Sequence, residues 1–274
     1  MKKVFEILPS SVDAANSILI CEVSNEGFSF TIKDEKQDSF VALSVYHLDK
    51  STPPVGFPIA LQIVFHQNQL LSEQFKKVVI IYSFSESVLV PFSLYDGMQN
   101  EDVLNLVHGD LPNNDTILTD IITGKNMYNC FRISTAALEV INTQFPNANS
   151  FHQYSFLLRQ STEKDKLSII FYSQKMVVSL IKSGKHQLIN SFNYHSPEEV
   201  SYTLLNIRQQ FDVPDIDIEI YGLVEKKSSL FKEIYKYFQN VEMAVLPEGK
   251  NVSEEILQYP AHYFSHIFAL DSCV

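Results

Sequence analysis

Three apolar runs rich in β-branched residues open the chain: 17–23 (SILICEV), 27–33 (GFSFTIK) and 38–46 (DSFVALSVY). Short polar links join them, Ser24-Asn25-Glu26 and Asp34 to Gln37, and the second and third runs alternate strongly. Period-two alternation with such short links predicts an antiparallel three-strand meander. After the Pro53-Pro54 break, the pattern predicts a helix near 57–72 and then a strand at 77–82 (KVVIIY). That strand is apolar on both faces, as in a covered sheet. A further strand is predicted at 87–94.

The second half begins in the same way. Runs at 167–172 (LSIIFY), 175–182 (KMVVSLIK) and 186–192 (HQLINSF) predict three strands, with turns at Ser173-Gln174 and Ser183-Gly184-Lys185. Ser196-Pro197-Glu198-Glu199 is a clear helix start: Ser196 caps, Pro197 fits the first helical position, and Glu199 closes a capping box. Val200, Leu204, Ile207 and Phe211 continue one apolar face. A strand at 217–221 (DIEIY), a helix at 228–238 and a last strand at 241–246 follow. Aligning the halves gives a repeated order: strand, strand, strand, helix, strand. Between them, residues 97–162 predict a helix near 100–108, a hairpin of strands 116–122 and 127–133 turning at Thr123 to Asn126, and a helix at 135–145.

These boundaries place a first lobe at 1–162, with a small inserted subdomain at about 97–146, and a second lobe at 163–274. The C-terminal helix of the second lobe is expected to pack back on the first. Composition then narrows the chemistry. The chain has 21 basic and 32 acidic side chains, a formal net charge of −11, and only three arginines. That balance argues against a nucleic-acid or anionic-membrane surface, since both need clustered cations. Residues 1–150 hold 9 basic and 17 acidic groups, so a basic partner would favour this part. The eight glycines are so scattered that Gly97 and Gly109 are the closest pair, and no Gly-rich phosphate loop exists. Cys21, Cys130 and Cys273 are odd in number and widely spaced, which predicts a reducing cytoplasm. No apolar run approaches the roughly 18 residues of a spanning helix, so no direct membrane insertion is expected.

The two meanders, the segment 78–96 (VVIIYS…SVLVPFSLYD) and the aromatic stretch 262–273 (HYFSHIFALDSC) resemble a bacterial family of uncharacterised proteins with an actin-like ATPase architecture. In style it is nearest to the cell-division and type IV pilus members. The resemblance spans essentially the whole chain. It implies an α/β fold of two ribonuclease-H-like lobes, each a mixed sheet with flanking helices. It also implies an Asp-x-Gly-Ser/Thr turn after the first strand of each lobe, where the aspartate organises a metal and the small residues meet phosphate. Here the first turn reads Cys21-Glu22-Val23-Ser24-Asn25 and the second Phe171-Tyr172-Ser173-Gln174-Lys175; an adenosine-side glycine pair would fall at Gly222-Leu223. Glu22, Ser24, Ser173 and Gly222 are therefore the candidate nucleotide residues. Because both turns depart from the pattern, the resemblance implies no ATP hydrolysis and no required cofactor, with ATP binding without turnover as the alternative.

Two other groups invite chemistry. His262 and His266 are four apart on a predicted helix after Pro260, at metal-ligand spacing, but the surrounding Tyr259, Tyr263, Phe264 and Phe268 favour a docked aromatic helix and no metal site. Asp212, Asp215, Asp217 and Glu219 form a carboxylate run, in which alternation with Ile216, Ile218 and Ile220 makes Asp217 and Glu219 the exposed face of a strand. The expected function is a cytoplasmic, non-enzymatic scaffold or adaptor that binds a protein partner, with a homodimer left open. The alternatives are an ATP-binding switch and a small-molecule enzyme working in the cleft between the lobes.

Overall fold

In a computed structural model, residues 1–48, 56–110, 115–160 and 162–273 are described; the Pro53-Pro54 break lies outside them. The chain divides into two compact units. The first comprises 1–159 with 251–256 and 273–274, and the second 160–250 with 257–272.

The main sheet of the first unit is built from β1 (Lys2–Ile7), β2 (Ser17–Ser24), β3 (Gly27–Asp34), β4 (Ser39–His47), β5 (Lys77–Tyr82) and β9 (Asn149–His152). Its order is β1-β4-β3-β2-β5-β9. The predicted meander is β2, β3 and β4, antiparallel, and β5 and β9 then run parallel to β2. All eight residues of β2 are buried. Helix α1 (Phe57–Gln67) and helix α3 (Thr135–Gln144) cover one face, where Leu19, Cys21, Val23, Phe28, Phe30, Ile80 and Tyr82 pack against Leu61, Val64, Ala137 and Ile141. Each fully buried aliphatic or aromatic side chain there contributes about 1.5–3 kcal/mol.

Between β5 and β9 the chain builds a second, three-stranded sheet from β6 (Ser87–Pro91), β7 (Asp115–Ile122) and β8 (Met127–Ser134), in the order β6-β8-β7. Helix α2 (Asn100–His108) sets Leu104 against Val90 and Cys130 of this sheet. The small sheet therefore starts at Ser87, whereas α3 belongs to the main core. Phe131 of β8 joins the two by approaching Tyr82, with ring centroids 5.8 Å apart. Helix α4 (Gln153–Arg159) follows β9 directly.

The second unit repeats the order: β10 (Lys166–Phe171), β11 (Lys175–Lys182), β12 (Lys185–Asn193), β13 (Asp217–Gly222) and β14 (Val241–Met243) form a sheet ordered β12-β11-β10-β13-β14. The first three strands are antiparallel, and β13 and β14 run parallel to β10. Helix α5 (Pro197–Gln210) makes the crossover and, with α6 (Ser229–Tyr235), buries Val200, Leu204, Ile207 and Ile234 on the sheet. In each unit the order is thus third, second, first, fourth, fifth; the first four strands are the repeat predicted from the sequence, and the fifth strand extends it.

The C-terminal stretch divides between the units. Asn251–Val252 adds a parallel two-residue strand to β4, and Ser253 N donates to Phe40 O at 2.8 Å. Residues 257–272 belong to the second unit, where Lys250 pairs with the half-buried Asp271 at 2.6 Å.

Several elements escaped the sequence reading, among them β1, β9 and the helix α4. β1 (KKVFEI) is largely exposed and shows no buried alternation, while β9 and α4 carry too few residues for any period to register. The predicted start of α5 is present, since Ser196 Oγ accepts from Glu199 N at 3.3 Å. The return contact shifts by one residue, Glu199 Oε2 accepting from His195 N at 2.8 Å. Ser196→Ala should lower stability by about 1 kcal/mol, read as a shift of the urea midpoint at constant slope.

Candidate functional site

In an open α/β sheet, functional groups gather at the carboxyl ends of the parallel strands. In the first unit those ends are Ser24, Tyr82 and His152, of β2, β5 and β9. Glu22 and Ser24 alternate onto the same face of β2, and both are buried.

The turn after β2 is only two residues long, Asn25-Glu26, because Ser24 pairs directly with Gly27. Ser24 Oγ accepts from Glu26 N at 3.1 Å, so the small polar side chain satisfies a backbone donor of its own turn. Gly27, at φ +154°, is required: a Cβ there would lie 2.0 Å from Tyr46 O. The Glu22 carboxylate points inward. Gln153 Nε2 donates to Glu22 Oε1 at 3.3 Å, and Ser83 Oγ donates to Gln153 Oε1 at 2.7 Å. Ser83 N donates in turn to Val23 O at 2.8 Å.

A second group of polar side chains lies beside the first. Asp120 of β7 accepts from His152 N and from Ser155 Oγ, both at 2.6 Å. Asn129 Nδ2 donates to Ser155 Oγ at 3.1 Å, and Ser87 Oγ donates to Asn129 Oδ1 at 2.5 Å. His152 Nδ1 accepts from Tyr154 N at 3.1 Å, which places the ring proton on Nε2, 2.8 Å from Phe84 O. Burial raises the Asp120 carboxyl above its ordinary value, against the two donors and Arg159. The network stitches the small sheet to the carboxyl end of the main one. Gln153, Ser83, Asp120, His152, Ser155 and Asn129 were not singled out from the sequence. Their contacts join residues up to 131 positions apart, with no local pattern to mark them.

In the second unit, Ser173 and Gly222 lie at the same sheet end, since Phe171 is level with Gly222 across the parallel pair β10 and β13. Ser173 is exposed in a two-residue turn closed by Tyr172 N donating to Lys175 O at 2.8 Å. Tyr194 braces that turn, its N donating to Gln174 O at 2.9 Å and its hydroxyl to Tyr172 O at 2.6 Å. Lys175 is buried with Nζ 4.8 Å from the centroid of the Tyr172 ring, a cation–π contact. Gly222 has a structural reason to be glycine: φ is +97°, and a Cβ would lie 2.2 Å from Phe171 O.

The remaining candidates separate. His262 and His266 do not share a helix. A 3-10 turn, Ala261–Tyr263, and a short helix, Ser265–Ala269, are broken at Phe264. His262 Nε2 bonds Val224 O at 2.8 Å, whereas His266 lies edge-on to the Tyr172 ring. Among the described residues no group of three or more His, Cys, Asp or Glu is placed to hold a metal. Glu219 departs from the expected exposed face: half-buried, it accepts from Lys166 Nζ at 2.6 Å and from the Tyr221 hydroxyl, while Asp217 is exposed. Burial and the adjacent Glu219 push the Tyr221 phenol up. Cys21 and Cys130 are free and buried, and burial raises both thiols.

The comparisons agree on the fold. Residues 10–241 match the family described as "Protein of unknown function (DUF3822)". A Bacteroides thetaiotaomicron VPI-5482 structure described as a protein with actin-like ATPase fold and unknown function is similar at TM-score 0.78 and 21% identity, covering 97% of this chain and all of that one. A chain of the PilM–PilN type IV pilus biogenesis complex is similar at TM-score 0.61 and 12% identity, covering 94% and 98%. No curated protein matches the chain.

Two outcomes test these assignments. Gly222→Ala should cost roughly 2–4 kcal/mol, because left-handed strain adds to the clash with Phe171 O, and the loss should appear in thermal unfolding without any ligand. Burial lowers the His266 imidazole to about 3, and among the described residues its Nδ1 has no hydrogen-bond partner. The unfolded chain therefore takes up this proton first. Stability contributed by neutral His266 is complete above about pH 6.5 and is lost as pH falls toward 3, by at most about 1.4 kcal/mol per unit. His266→Phe should flatten that part of a denaturation-midpoint profile.

Proposed function

Starting from a chain that belongs to the DUF3822 family and carries an actin-like fold, we propose that it is a non-catalytic scaffold or adaptor that binds a protein partner. The observation that carries this reading is the Glu22 carboxylate. At the position where the fold's ATPases aim an acid at a metal, Glu22 is buried and bonded to Gln153, which is itself bonded to Ser83. Releasing Glu22 to a cation would break the bond it accepts from Gln153 Nε2, and a bond to a charged group of this kind contributes about 1.5–3 kcal/mol. The adjoining turn supports the same reading: Ser24, Asn25 and Glu26 stand where a phosphate cradle wants glycine, and the Glu26 N–H is turned back onto Ser24. The residues present do not fit a triphosphate with its metal.

Partner binding draws on charge. The first unit holds 10 basic and 19 acidic residues, against 11 and 13 in the second, so a basic partner is steered to the first. One of the structures sharing the fold is itself part of a two-protein complex. Among the described residues no helix is long and apolar enough to cross a membrane. The free, buried Cys21 and Cys130 support a reducing compartment such as the cytoplasm.

Purified protein supplied with Mg2+ and ATP should release no phosphate above background, and calorimetry with ATP, ADP or GTP should give no saturable heat. Phosphate release that disappears in both Glu22→Ala and Glu22→Gln would overturn the reading.

A further inference from the structure

Sheet edges expose unpaired N–H and C=O groups, and proteins guard them with short strands, lysines, prolines or bulges. Nearly every sheet edge among the described residues is guarded in this way. β1 carries Lys2 and Lys3 and a register shift between Lys3 and Phe5. β9 has four residues and β14 three. β12 begins at Lys185 and pairs across a shift between Leu180 and Ile181, and β6 is short and ends in Pro91.

β7 is the exception. Its eight residues (DTILTDII) pair with β8 in unbroken register from Asp115↔Ser134 to Ile122↔Met127, and they include no lysine and no proline. Four of the middle residues, Thr116, Ile117, Thr119 and Ile121, are β-branched. β7 ends its sheet, and Ile121 is 55% exposed. The Asp120 side chain is turned inward, where it accepts from His152 N and Ser155 Oγ.

We propose that β7 is a docking edge for an extended, lysine- or arginine-bearing segment of another protein, which adds a fourth strand to the small sheet. Backbone pairing along about 27 Å supplies the adhesion, and charge selects the partner. Asp96, Glu101, Asp102 and Asp110 of this subdomain are all exposed. Of its two basic residues, Lys125 is exposed, while Arg132 is buried and paired with Glu86 at 2.9 Å. A second copy is disfavoured as occupant, because edge-to-edge pairing would bring two equally acidic subdomains together. This inference rests on the adaptor reading and assigns its surface.

The test uses the full chain and a synthetic peptide alternating Val with Lys and Thr, beside the same peptide with Glu in place of Lys. Fluorescence anisotropy should show saturable binding of the lysine peptide, weakened by salt, and none of the glutamate peptide. Hydrogen exchange should slow at 115–122 when the lysine peptide binds. Ile121→Lys, at an exposed position, should abolish binding, whereas Ile63→Lys, on the exposed face of α1, should leave it unchanged. Absence of saturable binding, protection elsewhere, or protection of 115–122 by self-association without peptide would overturn the proposal. A negative peptide result with no phosphate release removes the docking edge but leaves the adaptor reading. Phosphate release that depends on Glu22 removes the adaptor reading whatever the peptide does.

Discussion

A central strand without a solvent face imposes its terms on every neighbour. β2 is buried along its whole length, and β11 through seven of its eight residues. Both faces of such a strand need apolar cover, and any polar group on it needs an internal partner, since an unpaired buried acceptor costs about as much as several good packing contacts gain. Glu22 is such a group. Its inward bond to Gln153 follows from where β2 lies, and it ties the end of the first strand to the start of α4.

The same constraint shapes the small sheet. It shares the main core through Phe131 and Ile133, so its inner face is apolar, yet the half-buried Asp120 and the buried Asn129 also need partners there. They are satisfied by one another's neighbours: Ser155 links both, and His152 offers its backbone to Asp120 while its ring spans Tyr154 and Phe84. A satisfied network of this kind holds one arrangement well, because each member left alone would be a buried unpaired group. Among the described residues no further strand pairs with the outer edge of the same sheet, along β7.

Glycine usage takes on a different meaning in three dimensions. Along the chain, Gly222 reads as the survivor of a nucleotide-side pair. In the sheet its missing Cβ makes room for Phe171 O across a parallel strand pair, a requirement of backbone approach that holds with or without a ligand. Ser24 undergoes a similar change, from a phosphate-turn remnant to the acceptor for its own Glu26 N–H.

The amino-acid sequence by itself determined the duplicated architecture. Period-two runs, short polar links and the cap at Ser196 are local signals, and strands β2 to β5 and β10 to β13 with helix α5 appear where those signals place them. It also determined the acidic balance and the absence of a glycine-rich loop. Tertiary structure alone decided what the polar residues do. Whether Glu22 meets a metal or Gln153, whether His262 and His266 share a face, and whether Glu219 faces water depend on chain segments tens of residues away. β9 and α4 show the same limit, since four and seven residues are too few to carry a period; the pairing of β9 with β5 and the packing of α4 against β7 and β9 place them.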